Sequence, residues 1–113
     1  MRPGVTLIEI LVALVLFQIA MLALSATTIV AARDLAAATS RTRALELAQR
    51  RVARLRPGAC AGPQSGFSAT DGLREFWSVE SSGRVRVIRD SVELRLSRGT
   101  ESLVVRAWVY CSA

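Results

Sequence analysis

Residues 10–32 read ILVALVLFQIAMLALSATTIVAA, a run without a single charged side chain. At 1.5 Å per residue, a helix of this length extends about 34 Å, enough to cross the hydrocarbon core of a bilayer. Because the run is apolar on every helical face, such a helix must be surrounded by lipid or by other apolar helices. The segment therefore predicts a membrane helix and leaves roughly eighty residues for a soluble domain.

One ionisable side chain interrupts the start of this apolar stretch. Glu9 follows Leu7 and Ile8, and a carboxylate within a membrane helix costs about 2.5–3.5 kcal/mol on insertion scales. Such a group needs either a charged partner or a position near the membrane edge, where water reaches it. Taken alone, Glu9 is compatible with both explanations.

The residues around Glu9 form a short motif, Gly4-Val5-Thr6-Leu7-Ile8-Glu9, preceded by Arg2. This motif resembles the processing site of type IV prepilins and type II secretion pseudopilins. In that family a short charged leader ends in Gly, and Glu occupies the fifth position of the mature chain. The specific resemblance extends over residues 2–32, and a looser one reaches residue 56.

The resemblance implies four segments, namely a leader (residues 1–4), a transmembrane and filament-core helix (5–32), an amphipathic periplasmic helix (33–56) and a β-rich head (57–113). A prepilin peptidase would cut after Gly4 and leave Val5 as an N-methylated amino terminus. Glu9 would then pair with the terminal amine of a neighbouring subunit during assembly, since opposite charges attract strongly in a low-dielectric helix bundle.

The implied location is the bacterial inner membrane, with the head in the periplasm, and later a pilus or pseudopilus filament. The implied partners are other pilin or pseudopilin subunits, the prepilin peptidase, the inner-membrane assembly platform and, before assembly, membrane lipid. Val5 stands where major pilins usually have Phe, and the apolar run contains no Pro that would kink the helix. Both departures favour a minor subunit that joins or primes a type IV pilus or a type II secretion pseudopilus.

A plain single-pass anchored or secreted protein is an alternative. Ala23-Leu24-Ser25-Ala26 could end an ordinary secretory signal peptide, although Glu9 and the continuation of the apolar run argue against it. Several arginines follow the run, and by the positive-inside rule they would keep the C-terminal side in the cytoplasm. Charge alone therefore leaves the orientation open.

The helix is predicted to run from about Thr6 to about Arg56, where Pro57-Gly58 ends it. Its predicted buried stripe recurs at three- and four-residue steps and consists of Leu45, Ala48, Val52 and Leu55. The arginines Arg43, Arg50, Arg51 and Arg54 fall largely on the other faces.

The rest of the chain predicts a small sheet. Residues 57–72 are rich in Gly, Pro, Ala and Ser and indicate an irregular loop. The predicted strands are 73–80, 84–88, 91–97 and 103–110. The predicted class is α+β, with a long N-terminal helix, transmembrane in its first half, packed on a small antiparallel sheet. Trp77 and Trp108 are predicted to lie in the core beneath the helix.

The chain has two cysteines, Cys60 and Cys111, and no histidine. Their spacing matches neither a redox CxxC motif nor a zinc site. A disulfide between them would close a loop of about fifty residues and stabilise a small head by on the order of 4 kcal/mol. Two unrelated buried thiols are the alternative.

No catalytic or cofactor-binding pattern is present, so the sequence predicts neither an enzyme nor a bound cofactor or metal. The carboxylates of the head alternate with arginines and are predicted to be solvated: Asp71, Glu75, Glu80, Asp90, Glu93 and Glu101. The net charge is +6, which allows a second hypothesis, a DNA-binding minor pilin of an uptake machine. Arg84 and Arg86 would form its phosphate-binding stripe on one strand. Opposing carboxylates make this hypothesis the weaker one.

Overall fold

The computed structural model describes residues 4–112, which form one long helix and one antiparallel sheet, as the α+β prediction required. The helix α1 spans Leu7–Leu55, and a short 3₁₀ helix follows at Ala59–Ala61. The strands are β1 (Gln64–Thr70), β2 (Leu73–Ser82), β3 (Val85–Leu96) and β4 (Gly99–Tyr110). Most of the predicted leader, residues 1–3, lies outside the described residues.

The chain divides between Leu35 and Ala36 into two compact units. In the first unit the side chains of the helix are exposed on all faces, as expected for a segment that lipid or other helices would cover. The helix reaches a mean hydropathy of 2.7 over 18 residues and is long and apolar enough to cross a membrane. The first unit is therefore a candidate membrane anchor.

The second unit contains the rest of α1 and the sheet, whose strands follow the chain order β1-β2-β3-β4. Every neighbouring pair is antiparallel, and two-residue turns connect the strands. The first turn is Asp71-Gly72, in which both residues have positive φ, 50° and 77°. A type I′ turn needs this conformation at both central positions, and an Asp-Gly pair adopts it readily.

One face of the sheet, the inner face, packs against α1. Its core consists of small helix residues set against aliphatic strand residues, and it forms two clusters. One contains Val52, Ala59, Val79, Ile88 and Ala107. The other contains Ala44, Ala48, Val92 and Leu94. Small alanines let the helix backbone approach the sheet closely, so the core of this small unit consists mainly of β-branched and Ala side chains.

Two predicted core residues are exposed. Trp108 pairs with Val87 on the opposite face of the sheet and is 62% exposed, while its neighbour Ala107 takes the inner position. On the helix, Leu45 is 40% exposed and Ala44 is buried instead. In both cases the larger side chain was predicted to be buried, but its position in the strand or helix repeat directs it away from the core.

The strand prediction was wrong at two places. The predicted loop 57–72 contains a complete strand, β1, at Gln64–Thr70. The two predicted strands 84–88 and 91–97 are one continuous twelve-residue strand, β3. The predicted gap at Arg89 and Asp90 is absent, because one of the two side chains lies on each face of β3, as the alternation of a strand requires.

Candidate functional site

Gly4, Val5 and Thr6 precede the helix, and Glu9 lies in its first turn. The Thr6 carbonyl accepts hydrogen bonds from the backbone N–H groups of Glu9 (3.0 Å) and Ile10 (3.3 Å), and these bonds begin the helix. The Gly4–Val5 peptide bond lies in exposed non-helical backbone. The predicted cleavage site and the predicted assembly residue are thus separated by less than two helical turns.

The Glu9 carboxylate is exposed and forms no ion pair within residues 4–112. Its nearest neighbours along the helix are exposed apolar side chains, including Ile8 and Ile10. A negative charge in the first turn is favoured by the helix dipole, but only by about 0.3–1 kcal/mol. In apolar surroundings the ionised carboxylate would be unfavourable unless a positively charged group paired with it.

The core of the second unit contains a polar cluster that was not predicted: Arg51, Glu75 and Asp90. Arg51 donates from Nε to Glu75 Oε1 (3.1 Å) and from Nη2 to Glu75 Oε2 (2.8 Å), a two-point ion pair. The Arg51 guanidinium carbon also lies 4.0 Å from the ring centroid of Trp77. Glu75 is 1% exposed and Asp90 is 0% exposed, so both predictions of a solvated carboxylate were wrong.

Asp90 differs from the other two residues of this cluster in its hydrogen bonding. Neither of its carboxylate oxygens has a hydrogen-bond partner within the described residues. Burial raises the pKa of Asp90 from its ordinary value of 3.8 to about 7, and the neighbouring Glu75 carboxylate adds to the shift. The positive charge of Arg51 opposes the shift. With a pKa near 7, Asp90 is present in both its protonated and its ionised form near neutral pH, and the protonated form can donate a hydrogen bond to Glu75.

The sequence does contain a signal for this cluster. Glu75 stands in the same alternation as Leu73, Trp77 and Val79, and Asp90 in the same alternation as Ile88 and Val92. A strict period-two assignment would have placed both carboxylates on the inner face. Arg51 follows Ala48 by three residues, so it shares the buried helix face instead of lying opposite it.

The two arginines of the nucleic-acid hypothesis do not form a stripe along one strand. Arg84 lies in the turn before β3, and its carbonyl accepts a hydrogen bond from the Cys111 N–H (3.0 Å). Arg86 is half-buried and has the inner-face alternation of Ile88. Only Arg86 therefore belongs to β3, and binding of phosphates by Arg84 and Arg86 stays a prediction.

The two cysteines form a disulfide. Cys60 lies in the 3₁₀ helix after α1, and Cys111 follows the last residue of β4; their Cα atoms are 5.7 Å apart. The bond joins the segment that leaves the helix to the end of the sheet. The alternative of two unrelated thiols is excluded.

Within residues 4–112 no group of three or more His, Cys, Asp or Glu side chains is arranged to hold a metal ion. Comparison of the chain with protein-family models, with curated proteins and with solved structures finds no match in any of the three.

Proposed function

We propose that this chain is a minor pilin or minor pseudopilin, a subunit that joins or primes a type IV pilus or a type II secretion pseudopilus. The observation that carries the proposal is Glu9, an exposed carboxylate that forms no ion pair within residues 4–112 and lies in the first turn of a helix whose residues 10–32 are apolar on every face. Before assembly the helix would lie in the inner membrane, with the head in the periplasm.

The physical argument starts from the cost of an unpaired charge. When apolar helices bundle in a filament core, a carboxylate without a partner loses its hydration and forms no interaction that compensates for the loss. Cleavage after Gly4 would create a positively charged amine at Val5, four residues before Glu9. The amine of one subunit and the Glu9 carboxylate of the next would then satisfy each other. Because the attraction is strong at low dielectric, the pairing would favour one axial register between subunits.

The disulfide bond of the head also supports the proposal. Disulfides persist in oxidising compartments such as the periplasm, and the bond between Cys60 and Cys111 fits a head exported there. The partners required by the proposal are other pilin-like subunits, a prepilin peptidase and an assembly platform. The Gly4–Val5 bond, in exposed non-helical backbone, is the place where the peptidase would act.

The test uses Glu9→Gln in the full chain, expressed in cells with an active prepilin peptidase. We expect membrane insertion and cleavage before Val5 to persist, because Gln is neutral and of similar size. Filament incorporation should fall about tenfold or more, because the incoming amine loses its counter-charge. Mass spectrometry of the amino terminus measures cleavage, and immunoblotting of sheared filaments measures incorporation.

The matched control is Glu46→Gln, the same substitution in the same helix. Within residues 4–112 the exposed Glu46 forms an ion pair with Arg50 alone, at 3.8 Å and four residues away, so loss of its charge should leave incorporation unchanged. Wild-type incorporation of Glu9→Gln would contradict the role of Glu9. Residues 1–4 still attached in the mature protein would contradict the whole proposal and favour a plain single-pass anchor.

A further inference from the structure

The sheet face turned away from α1, here called the outer face, carries large exposed apolar side chains. They are Phe67, Phe76, Val104, Trp108 and Tyr110. Trp108 and Tyr110 are 62% and 82% exposed, and the rings of Phe67 and Phe76 contact each other with centroids 4.8 Å apart. A sheet exposed to water on one face normally carries mainly polar residues there, so this density of aromatic side chains needs an explanation.

Between these apolar groups runs a row of polar side chains, here called the arginine row. The strand register aligns Ser65 with Ser78, Ser78 with Arg89, and Arg89 with Arg106. Both arginines are exposed, and neither forms an ion pair within residues 4–112. Like charges directly opposite each other destabilise a sheet, so the isolated head carries a cost at this position.

The apolar groups flank the arginine row on both sides. Phe76 lies two residues along β2 from Ser78, and Trp108 lies two residues along β4 from Arg106. The centre of the outer face is thus positively charged and its two flanks are aromatic. Trp, Tyr and Arg are the residue types that contribute most to protein–protein interfaces, and a carboxylate partner would remove the repulsion between the two arginines.

We infer that the outer face docks a protein surface that presents carboxylates opposite Arg89 and Arg106, with apolar side chains on either side of them. A second copy of the same face is disfavoured, because it would bring two more arginines against this pair. The face also carries Arg74 and Arg95 beside Glu80 and Glu93, and these four charges balance, so the apolar flanks are what favour a protein surface over a phosphate backbone. The inference concerns the head alone and does not require the proposed function.

The test places the photo-reactive residue benzoylphenylalanine at Ser102, an exposed outer-face position next to Val104, in the full chain in its native cells. Crosslinked peptides are then mapped by mass spectrometry. We expect a crosslink to a protein segment with at least two carboxylates. Arg89→Glu combined with Arg106→Glu should reduce its yield about tenfold or more, as for hot-spot residues. Replacing the mapped carboxylates by Arg should restore it.

The control combines Arg84→Glu with Arg98→Glu, an equal change of charge at two exposed turn positions, and should leave the yield unchanged. Arg89→Gln combined with Arg106→Gln, a milder change, serves if the double Glu variant fails to fold. No crosslink, a yield that charge reversal leaves unchanged, or a crosslink only to a second copy would overturn the inference. A crosslink only to nucleic acid would also overturn it, in favour of a nucleic-acid surface.

Discussion

Asp90 shows how a single residue can set the pH response of this head. The cluster of Arg51, Glu75 and Asp90 holds two carboxyl groups and one guanidinium, and Arg51 donates from Nε and Nη2 to Glu75 but not to Asp90. With all three ionised, the core would contain an uncompensated negative charge. A proton on Asp90 removes that charge and supplies a donor for Glu75.

The pH dependence of stability follows from this arrangement. The pKa of Asp90 is about 7 in the folded state against an ordinary 3.8, so the folded state binds the proton more tightly than the unfolded chain. The free energy of unfolding should therefore fall as pH rises from about 4 to about 7 and then level off. Asp90→Asn, which keeps a donor for Glu75 without a charge, should abolish this fall. It should stabilise the head at about pH 8 by on the order of 2 kcal/mol.

The measurement is denaturant unfolding of the full chain in non-ionic detergent, followed by tryptophan fluorescence over a series of pH values. Asp71→Asn is the matched control, because Asp71 is exposed and Asn tolerates its positive φ equally well. The control should retain the pH dependence of the wild-type chain. Parallel curves for wild type and Asp90→Asn would show that Asp90 is not the group that titrates.

At the scale of elements, β1 shows why a strand can escape prediction. Its sequence, QSGFSAT, contains little of the β-branched and aromatic content typical of strands. Gly66 lies opposite Trp77, and a Cβ at Gly66 would overlap the six-membered ring of the Trp77 indole. Gly66 has to lack a side chain because the Trp77 ring of β2 occupies the space above it. This constraint follows from the pairing of β1 with β2 and is not visible in the sequence of β1 alone.

Gly66→Ala tests the close approach of the strand to Trp77. The added methyl group must displace the indole, and with it the contact between Trp77 and Arg51. We expect destabilisation of about 1–3 kcal/mol, typical of overpacking, and a changed Trp77 emission. Gly58→Ala is the control, because a Cβ there meets only the Gln64 side chain, at an ordinary 3.7 Å. Equal unfolding midpoints for wild type and Gly66→Ala would contradict the packing argument.

The helix was more predictable than the sheet. Its limits, Leu7 and Leu55, lie within one residue of the expected ones, because an uncharged apolar run and Pro57-Gly58 are strong local signals. Which side chains it buries depended on the partner surface. Ala44 is buried against the sheet, whereas Leu45 is exposed. Arg51 lies partly in the core because it forms an ion pair with the buried Glu75. These contacts form between elements that are distant in the sequence, so the periodicity of the helix alone does not predict them.

At the scale of the whole molecule, the small head depends on more than its core. The buried hydrophobic side chains are few and mostly small, with Ile88 and Leu94 the largest. A domain of this size gains only marginal stability from such a core. The disulfide joins residues 51 positions apart, and it ties the last strand to the segment that leaves α1. The covalent link therefore stabilises an arrangement that packing alone would hold weakly.

Replacing both cysteines, Cys60→Ser with Cys111→Ser, should destabilise the head by about 2–4 kcal/mol, because the unfolded chain regains the freedom of a long loop. Guanidinium unfolding of the full chain in detergent measures the change. Added reductant should lower the stability of the wild-type chain to that of the double variant and should leave the variant unaffected, which separates the loss of the link from the effect of the serine side chains. If reductant left the wild-type chain as stable as before, α1 and the sheet would hold the head together without the covalent link. The marginal core inferred from Ile88, Leu94 and the alanines of α1 would then be stronger than its size suggests.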